Sequence, residues 1–261
     1  MKKILFPTDF SERANKALAE VFHIVNKLDA ELIIYHVFNR PENNNLYASE
    51  KKIDLKFQQL SEDNTWLKNV KHEFHKELGI STDNIPKFTK NIKADMIMMA
   101  TKGANGFDEL WGTKTAKIVK KVDVPVLVIP DNTSLANIGK SGLVCDYSKE
   151  TDYHKLNFLL ELLEVQQLDT EIITLNRNEK VMTNEEKGYR MLVRKKLESV
   201  PTTFNFTFHD SVDDGIIDYC RTNGIGLISI LPKSYSFIEQ MFHESLTEKM
   251  IFRSPIPLLI L

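Results

Sequence analysis

The chain has 261 residues, enough for one large or two ordinary domains, and 42% of them are hydrophobic, enough for a substantial core. Lys plus Arg number 34 against 36 Asp plus Glu, a net charge of −2, which excludes the electrostatic footprint of a general nucleic-acid binder. Two distant cysteines, Cys145 and Cys220, exclude a disulfide framework; with no signal-like segment after Met1 and no apolar run of membrane-span length, the expectation is a soluble cytoplasmic protein with neither nucleic-acid nor membrane partners.

In chain order, Ile4 to Phe6 reads as a short strand ended by Pro7-Thr8-Asp9. Ser11 is placed to cap a helix whose apolar positions Ala14, Ala17, Leu18, Val21, Val25 and Leu28 share one face. Leu32 to Phe38 is a second strand, Pro41 to Asn45 a turn, and Ile53, Phe57 and Leu60 mark a second helix. Val70 to His75 is a third, weakly apolar strand, and Asp83 or Asn84 is expected to cap a short helix with Pro86 in its first turn. Met96 to Ala100 suits a strand buried on both faces; after Gly112 the pattern turns helical through Ile118, Val119 and Val122, and Val124 to Ile129 is a last strand with Pro125 at its start. Strands alternating with helices predict an α/β fold, a doubly wound and mostly parallel five-stranded sheet flanked by helices.

Pro130 to Ser134 has the composition of a linker, and beyond it the first half recurs. ILFPTDFSE is matched by SGLVCDYSK, KADMIMMATK by GIGLISILPK, and AKIVKKVDVPVLVI by EKMIFRSPIPLLIL. Helices near Tyr153–Leu163, Glu185–Leu197 and Asp213–Cys220, with strands at Glu171–Leu175, Phe204–His209 and Gly226–Leu231, complete a second copy. Two tandem domains are therefore expected, 1–131 and 138–261.

The copies differ after their fourth strands. The first carries Gly103, Gly106 and Gly112 between a buried strand and a helix, an order that brings backbone N–H groups and a positive helix end to a phosphate. It is not a Walker A loop, because Thr rather than Lys follows Gly112, and not a Rossmann fingerprint, because no glycine follows the first strand. The second has no glycine from Lys233 to Ser245, so it is expected to keep the fold and lack the phosphate cradle. In such sheets ligands bind beyond the C-terminal strand ends, where Asp9, Val37 and the glycine loop all fall.

The opening KKILFPTDFSERANKAL, the strand ending YHVF, the run ADMIMMATKGANG and the segment GTKTAKIVKKVDVPVLVIP resemble the universal stress protein family from end to end of the first domain, with a weaker match in CDYS and PIPLLIL of the second. Nucleotide-binding members carry G-x2-G-x9-G-[ST]; here Gly103 and Gly106 satisfy the first part and Gly112-Thr113 the last, but the spacer, FDELW, has five residues. The resemblance implies ATP or another adenine nucleotide as cofactor, with or without Mg²⁺. It implies Asp9 on the ribose, the Val37 backbone at adenine, and Gly103, Asn105 and Gly106 around the phosphates. Thr113 and Thr115 would donate to phosphate oxygens, Lys102 or Lys114 would add charge, and Pro7, Thr8, Ala100, Thr101 and Gly112 would complete the contacts. It also implies pairing of the two domains through their last strands, Val126–Ile129 and Leu258–Leu261, or a homodimer.

Other constellations carry less. Asp9 and Thr113 serve equally well as helix caps, and Val37 as core. His72 and His75 point to opposite faces of a strand, which disfavours a shared metal. Cys145 has no neighbouring His or second Cys and is expected to be a packed thiol. With no nucleophile, base or paired carboxylates in evidence, the expectation is a stress-response regulatory binder rather than an enzyme. The alternatives are a scaffold that binds no nucleotide and a slow ATPase.

Overall fold

A computed structural model describes residues 1–42, 44–101, 109–147, 151–176, 182–231 and 246–261, with backbone alone at 109–113 and 176. The chain divides into two compact units, Met1–Leu135 and Ala136–Leu261.

The first unit runs β1 (Lys3–Pro7), α1 (Glu12–Lys27), β2 (Glu31–Phe38), α2 (Leu46–Asp63), a 3-10 turn (Thr65–Asn69), β3 (His72–Leu78), α3 (Ser81–Ile92), β4 (Met96–Thr101), α4 (Glu109–Val119) and β5 (Val126–Pro130). Its strands lie in the order β3-β2-β1-β4-β5, every pair parallel. Central β1 is the most enclosed: Ile4, Leu5 and Phe6 are fully buried, and Ile4 registers with Leu32 on one side and Met96 on the other. The chain builds outward from β1 to β3, then returns to lay β4 along the opposite edge of β1, which creates a switch point between β1 and β4.

Helix α1 forms where its pattern places it. Ser11 is extended, its Oγ accepts the Ala14 N–H at 3.2 Å, and the apolar stripe from Ala14 to Val25 is buried. Likewise α2 buries Ile53, Phe57 and Leu60.

Three boundaries differ from the sequence reading. β3 extends through Lys76-Glu77-Leu78 because all seven of its residues register with Leu32–Phe38; charged residues are tolerated there because β3 is an edge strand. α3 starts at Ser81, ahead of Asp83, and Asn84 does not cap it forward: its Oδ1 accepts the N–H of Ile80, in the turn before the helix, at 3.0 Å. Pro86 therefore sits inside α3 and supplies no N–H to the Thr82 carbonyl. The Lys121 ammonium takes that carbonyl at 3.1 Å and the Asp83 carboxylate at 2.7 Å, tying α3 to the residues after α4. Finally, α4 begins at Glu109, so Gly112, Thr113 and Thr115 lie within the helix rather than at its start. An interior glycine costs a helix about 1 kcal/mol, a penalty the rest of a helix can absorb.

The second unit repeats the plan with β6 (Lys140–Val144), a 3-10 turn (Tyr153–Lys155), α5 (Leu156–Gln166), β7 (Asp169–Asn176), α6 (Asn184–Lys196), β8 (Thr202–Phe208), α7 (Val212–Asn223), β9 (Leu227–Ile230), α8 (Leu246–Arg253) and β10 (Leu258–Ile260). Its order, β10-β9-β6-β7-β8, is again all parallel.

The repetition reaches individual dihedrals. Phe10 and Tyr147, each following the Asp at the end of the first strand of its copy, take left-handed φ values of 60° and 54°. Lys93 and Gly224 close equivalent helices at 53° and 66°. The Asp83–Lys121 pair recurs between Asp214 and Arg253.

Candidate functional site

The C-terminal ends of β1, β2 and β4 surround a cavity of about 550 Å³ in the first unit. β1 contributes Pro7 and leads into Thr8 and Asp9; β2 contributes Tyr35 and Val37, with Asn39 beyond its end; β4 contributes Met99 and Ala100. The N-cap and first turn of α1 add Ser11, Arg13 and Ala14, the turn into α3 adds Gly79 and Ile80, the start of α3 adds Ser81 and Thr82, and α4 adds Lys114, Thr115, Lys117 and Ile118. The cavity therefore stands at the β1/β4 switch point, where adjacent crossovers leave the sheet in opposite directions and leave a crevice.

Hydrogen bonds fix its floor. The Thr8 N–H donates to the Tyr35 carbonyl at 2.9 Å, and His36 Nδ1 donates to the Thr8 carbonyl at 2.8 Å. Burial, the largest influence, holds the His36 imidazole below its ordinary pKa, so the ring is neutral at pH 7. The Tyr35 hydroxyl donates to Glu77; burial first, then that hydrogen bond, raise the phenol's pKa and keep it protonated. Phe88 stacks on the Tyr35 ring at 4.1 Å. Asp9 uses Oδ1 to accept the Ser11 N–H at 2.9 Å. Its Oδ2 has no hydrogen bond among the described residues, so the carboxylate closes a turn and still presents an acceptor.

Of the residues predicted from sequence, the cavity brings together Pro7, Thr8, Asp9, Val37, Ala100, Lys114 and Thr115. Thr101 is buried at the end of β4 and is not on the cavity wall. Lys102, Gly103, Asn105 and Gly106 lie outside the described residues, and for Gly112 and Thr113 only the helical backbone is described. Arg13, Asn39, Ile80, Ser81, Thr82 and Lys117 were not singled out in the sequence. The signal available for Asn39 was its place just past a strand that ends at the cavity; for Ser81 and Thr82 it was two hydroxyls following Gly79. Among the described residues the charged lining consists of Arg13, Lys114, Lys117 and Asp9, three cations to one carboxylate.

Elsewhere, His75 Nε2 meets Glu73 Oε2 at 2.9 Å while His72 Nδ1 donates to the Val70 carbonyl at 3.1 Å, so the two rings engage separate partners. Cys145 is 4% exposed, and burial pushes its thiol up to about 12, as a packed thiol requires. Among the described residues no helix is long and apolar enough to cross a membrane.

Residues 1–130 match the Universal stress protein family. Universal stress protein MJ0577 of Methanocaldococcus jannaschii is 30% identical over 157 residues, which cover 51% of this chain and 97% of that protein. The chain belongs to the universal stress protein family. A second relative from the same organism, Universal stress protein MJ0531, is 31% identical over 139 residues, 49% of this chain and 81% of that protein. The crystal structure of a universal stress protein from Archaeoglobus fulgidus aligns with 99% of this chain and 97% of its own at a TM-score of 0.72 and 18% identity, a likeness of fold across both halves. Both curated relatives are thus spanned by about half of this universal stress protein, which has two such units in tandem.

Proposed function

We propose that this universal stress protein is a cytoplasmic regulatory binder of ATP or a related adenine nucleotide, held in its first domain, 1–131. The observation that carries the reading is the cavity at the β1/β4 switch point, large enough for a small-molecule ligand and lined, among the described residues, by three cations with one carboxylate. Asp9 Oδ2 accepts from the ribose, the backbone around Val37 meets the adenine edge, and Lys114 and Thr115 face the phosphates with the loop from Lys102 to Gly106 and the Gly112-Thr113 pair. Mg²⁺, if bound, rides on the phosphates. The chain's own residues bind and orient; among the described residues lining the cavity none is a base placed to activate water, which supports slow turnover or none.

The second domain, 138–261, takes no nucleotide. Besides lacking the glycine loop, it places Asp213 where the first domain has Thr82, and that carboxylate engages Lys249, the counterpart of Lys117, at 3.7 Å. A carboxylate there repels a phosphate and neutralises the cation meant for it.

Calorimetric titration of the full chain with ATP and Mg²⁺ tests the reading, with Ala100→Phe as the cavity-filling control. Saturable binding at one site per chain, weakened at least tenfold in a control that remains folded, is the expected result. No binding up to millimolar ATP by nucleotide-free protein returns the chain to the scaffold alternative.

The same reading has the two domains pairing through their last strands. Each of these, Val126–Pro130 and Leu258–Ile260, is the terminal strand of its own unit, partnered there by β4 or β9 on one side, and is apolar along its length. An apolar strand edge that its own unit leaves open invites association. Sedimentation of the full chain is expected to give a monomer; a concentration-dependent dimer would put those edges between chains instead.

A further inference from the structure

We infer that Arg13 recognises the anionic part of the cavity's ligand and that Asp131 is the counter-ion it gives up in doing so; this rests on the nucleotide reading above. Arg13 lines the cavity from the first turn of α1, and its Nε donates to Asp131 Oδ2 at 3.1 Å. Because β4 lies between β1 and β5, and Asp131 directly follows β5, the pair spans the C-terminal end of β4, beside the segment that leads to the glycine loop.

The pair is half made. One N–H of Arg13 meets one oxygen of Asp131, whereas a guanidinium and a carboxylate can form two parallel hydrogen bonds. The Arg13 Nη groups have no hydrogen bond among the described residues, and Asp131 Oδ1 is buried without one. The side chains are 20% and 36% exposed, so water reaches the pair, and with a single hydrogen bond it adds little to stability. A phosphate brings more charge and a geometry that suits the guanidinium fork, so it outcompetes this carboxylate. Lys114 and Lys117 are exposed point charges by comparison; among the described cations of the cavity Arg13 is the one that is partly buried and forked.

Displacing Asp131 has a consequence in the chain. Asp131 opens the stretch that leads into the second unit, and that stretch is pinned to α1 twice: at Asp131 by Arg13, and at Leu135, whose N–H donates to Glu20 Oε2 at 2.7 Å. Ligand binding releases the first pin and leaves the second. Occupancy of the cavity is thereby reported to the start of the linker.

The test uses the full chain with ATP and adenosine, which share the base and sugar and differ in the phosphates. Wild type is expected to prefer ATP, and Arg13→Met to cut that preference about 10- to 100-fold, the range for a lost charge-assisted contact. Asp131→Asn removes the competitor and is expected to raise the preference. Hydrogen exchange at residues 132–135 is expected to speed up with ATP and not with adenosine. An unchanged preference in Arg13→Met, or a lowered one in Asp131→Asn, overturns the inference while leaving the nucleotide reading intact. If neither ligand binds wild type, both fall together. Should Arg13→Met fail to fold, the Asp131→Asn arm decides.

Discussion

Gly79→Val is expected to destabilise the first domain by about 2–4 kcal/mol and to abolish the nucleotide binding proposed for the cavity. Gly79 has φ +156°, a conformation that side-chain-bearing residues rarely adopt, and holding one there costs about 1–3 kcal/mol. A Cβ would stand 2.3 Å from Asn84 Oδ1 and 2.6 Å from Asn84 Cγ, so the Asn84 side chain must leave. Its departure costs the hydrogen bond to the Ile80 N–H at 3.0 Å, worth about 1 kcal/mol, and frees the turn that sets α3 in place. The Gly79 N–H also donates to the Phe38 carbonyl at 2.9 Å, at the joint between β2 and β3. Gly79 to Thr82 form one wall of the cavity, so the same change that strains the backbone moves the wall. Denaturant unfolding followed by a probe in the first domain reads the first effect and calorimetry the second. Asn84→Ala, which loses the hydrogen bond without the strain, is expected to cost about 1–2 kcal/mol. A Gly79→Val protein within 1 kcal/mol of wild type would show that the turn adopts another conformation at little cost.

Asp213→Ala is expected to destabilise the second domain by about 2 kcal/mol at neutral pH, with the difference from wild type closing as the pH falls below about 4. The Asp213 side chain is only 6% exposed, yet the groups that cover it, Arg253 and Lys249, are 46% and 42% exposed. Removing the carboxylate therefore leaves cations that water can reach, which places the cost below the ~3–5 kcal/mol of a fully buried broken pair. Burial is the largest influence on its pKa and pushes it up, but the Ser211 hydrogen bond at 3.0 Å, a backbone hydrogen bond, Lys249 and Arg253 together hold it below the ordinary value of 3.8. A carboxyl depressed in the folded state contributes stability above its unfolded pKa and loses it as pH falls through the folded one. Glu171 shifts the same way, since Lys140 and Tyr219 outweigh its burial, so acid is expected to weaken the second domain through both groups. Unfolding curves for wild type and Asp213→Ala from pH 7 to pH 3 check this. A gap that stayed constant to pH 3 would mean that Asp213 acts by packing rather than by charge.

The fold was legible because its signals are periodic and apolar. The stripe on α1, the buried runs of β1, β4 and β5, and the recurrence of SGLVCDYSK and GIGLISILPK each follow from burial on one face or two. Boundaries were harder where polar residues compete for the same backbone. Asn84 read as a forward cap but caps backward, and Pro86 read as a helix start because the lysine that takes the Thr82 carbonyl is Lys121, far along the chain. At the cavity, the strand-end residues Thr8, Asp9, Val37 and Ala100 could be foreseen from topology. Arg13, Ser81 and Thr82 could not, because an arginine or a hydroxyl in a first helical turn looks the same in sequence whether it faces water or a crevice.

Phe10 and Tyr147 hold one further lesson. Both are aromatic, both take a backbone conformation that costs an L-residue about 1–2 kcal/mol, and both follow an aspartate at the end of the first strand of their copy. Only one of the two copies carries the glycine loop. The contorted turn is therefore independent of the glycine loop: it belongs to the way each first strand hands over to the next helix, with the Tyr147 ring buried and the Phe10 ring half-buried against His36 and Phe57.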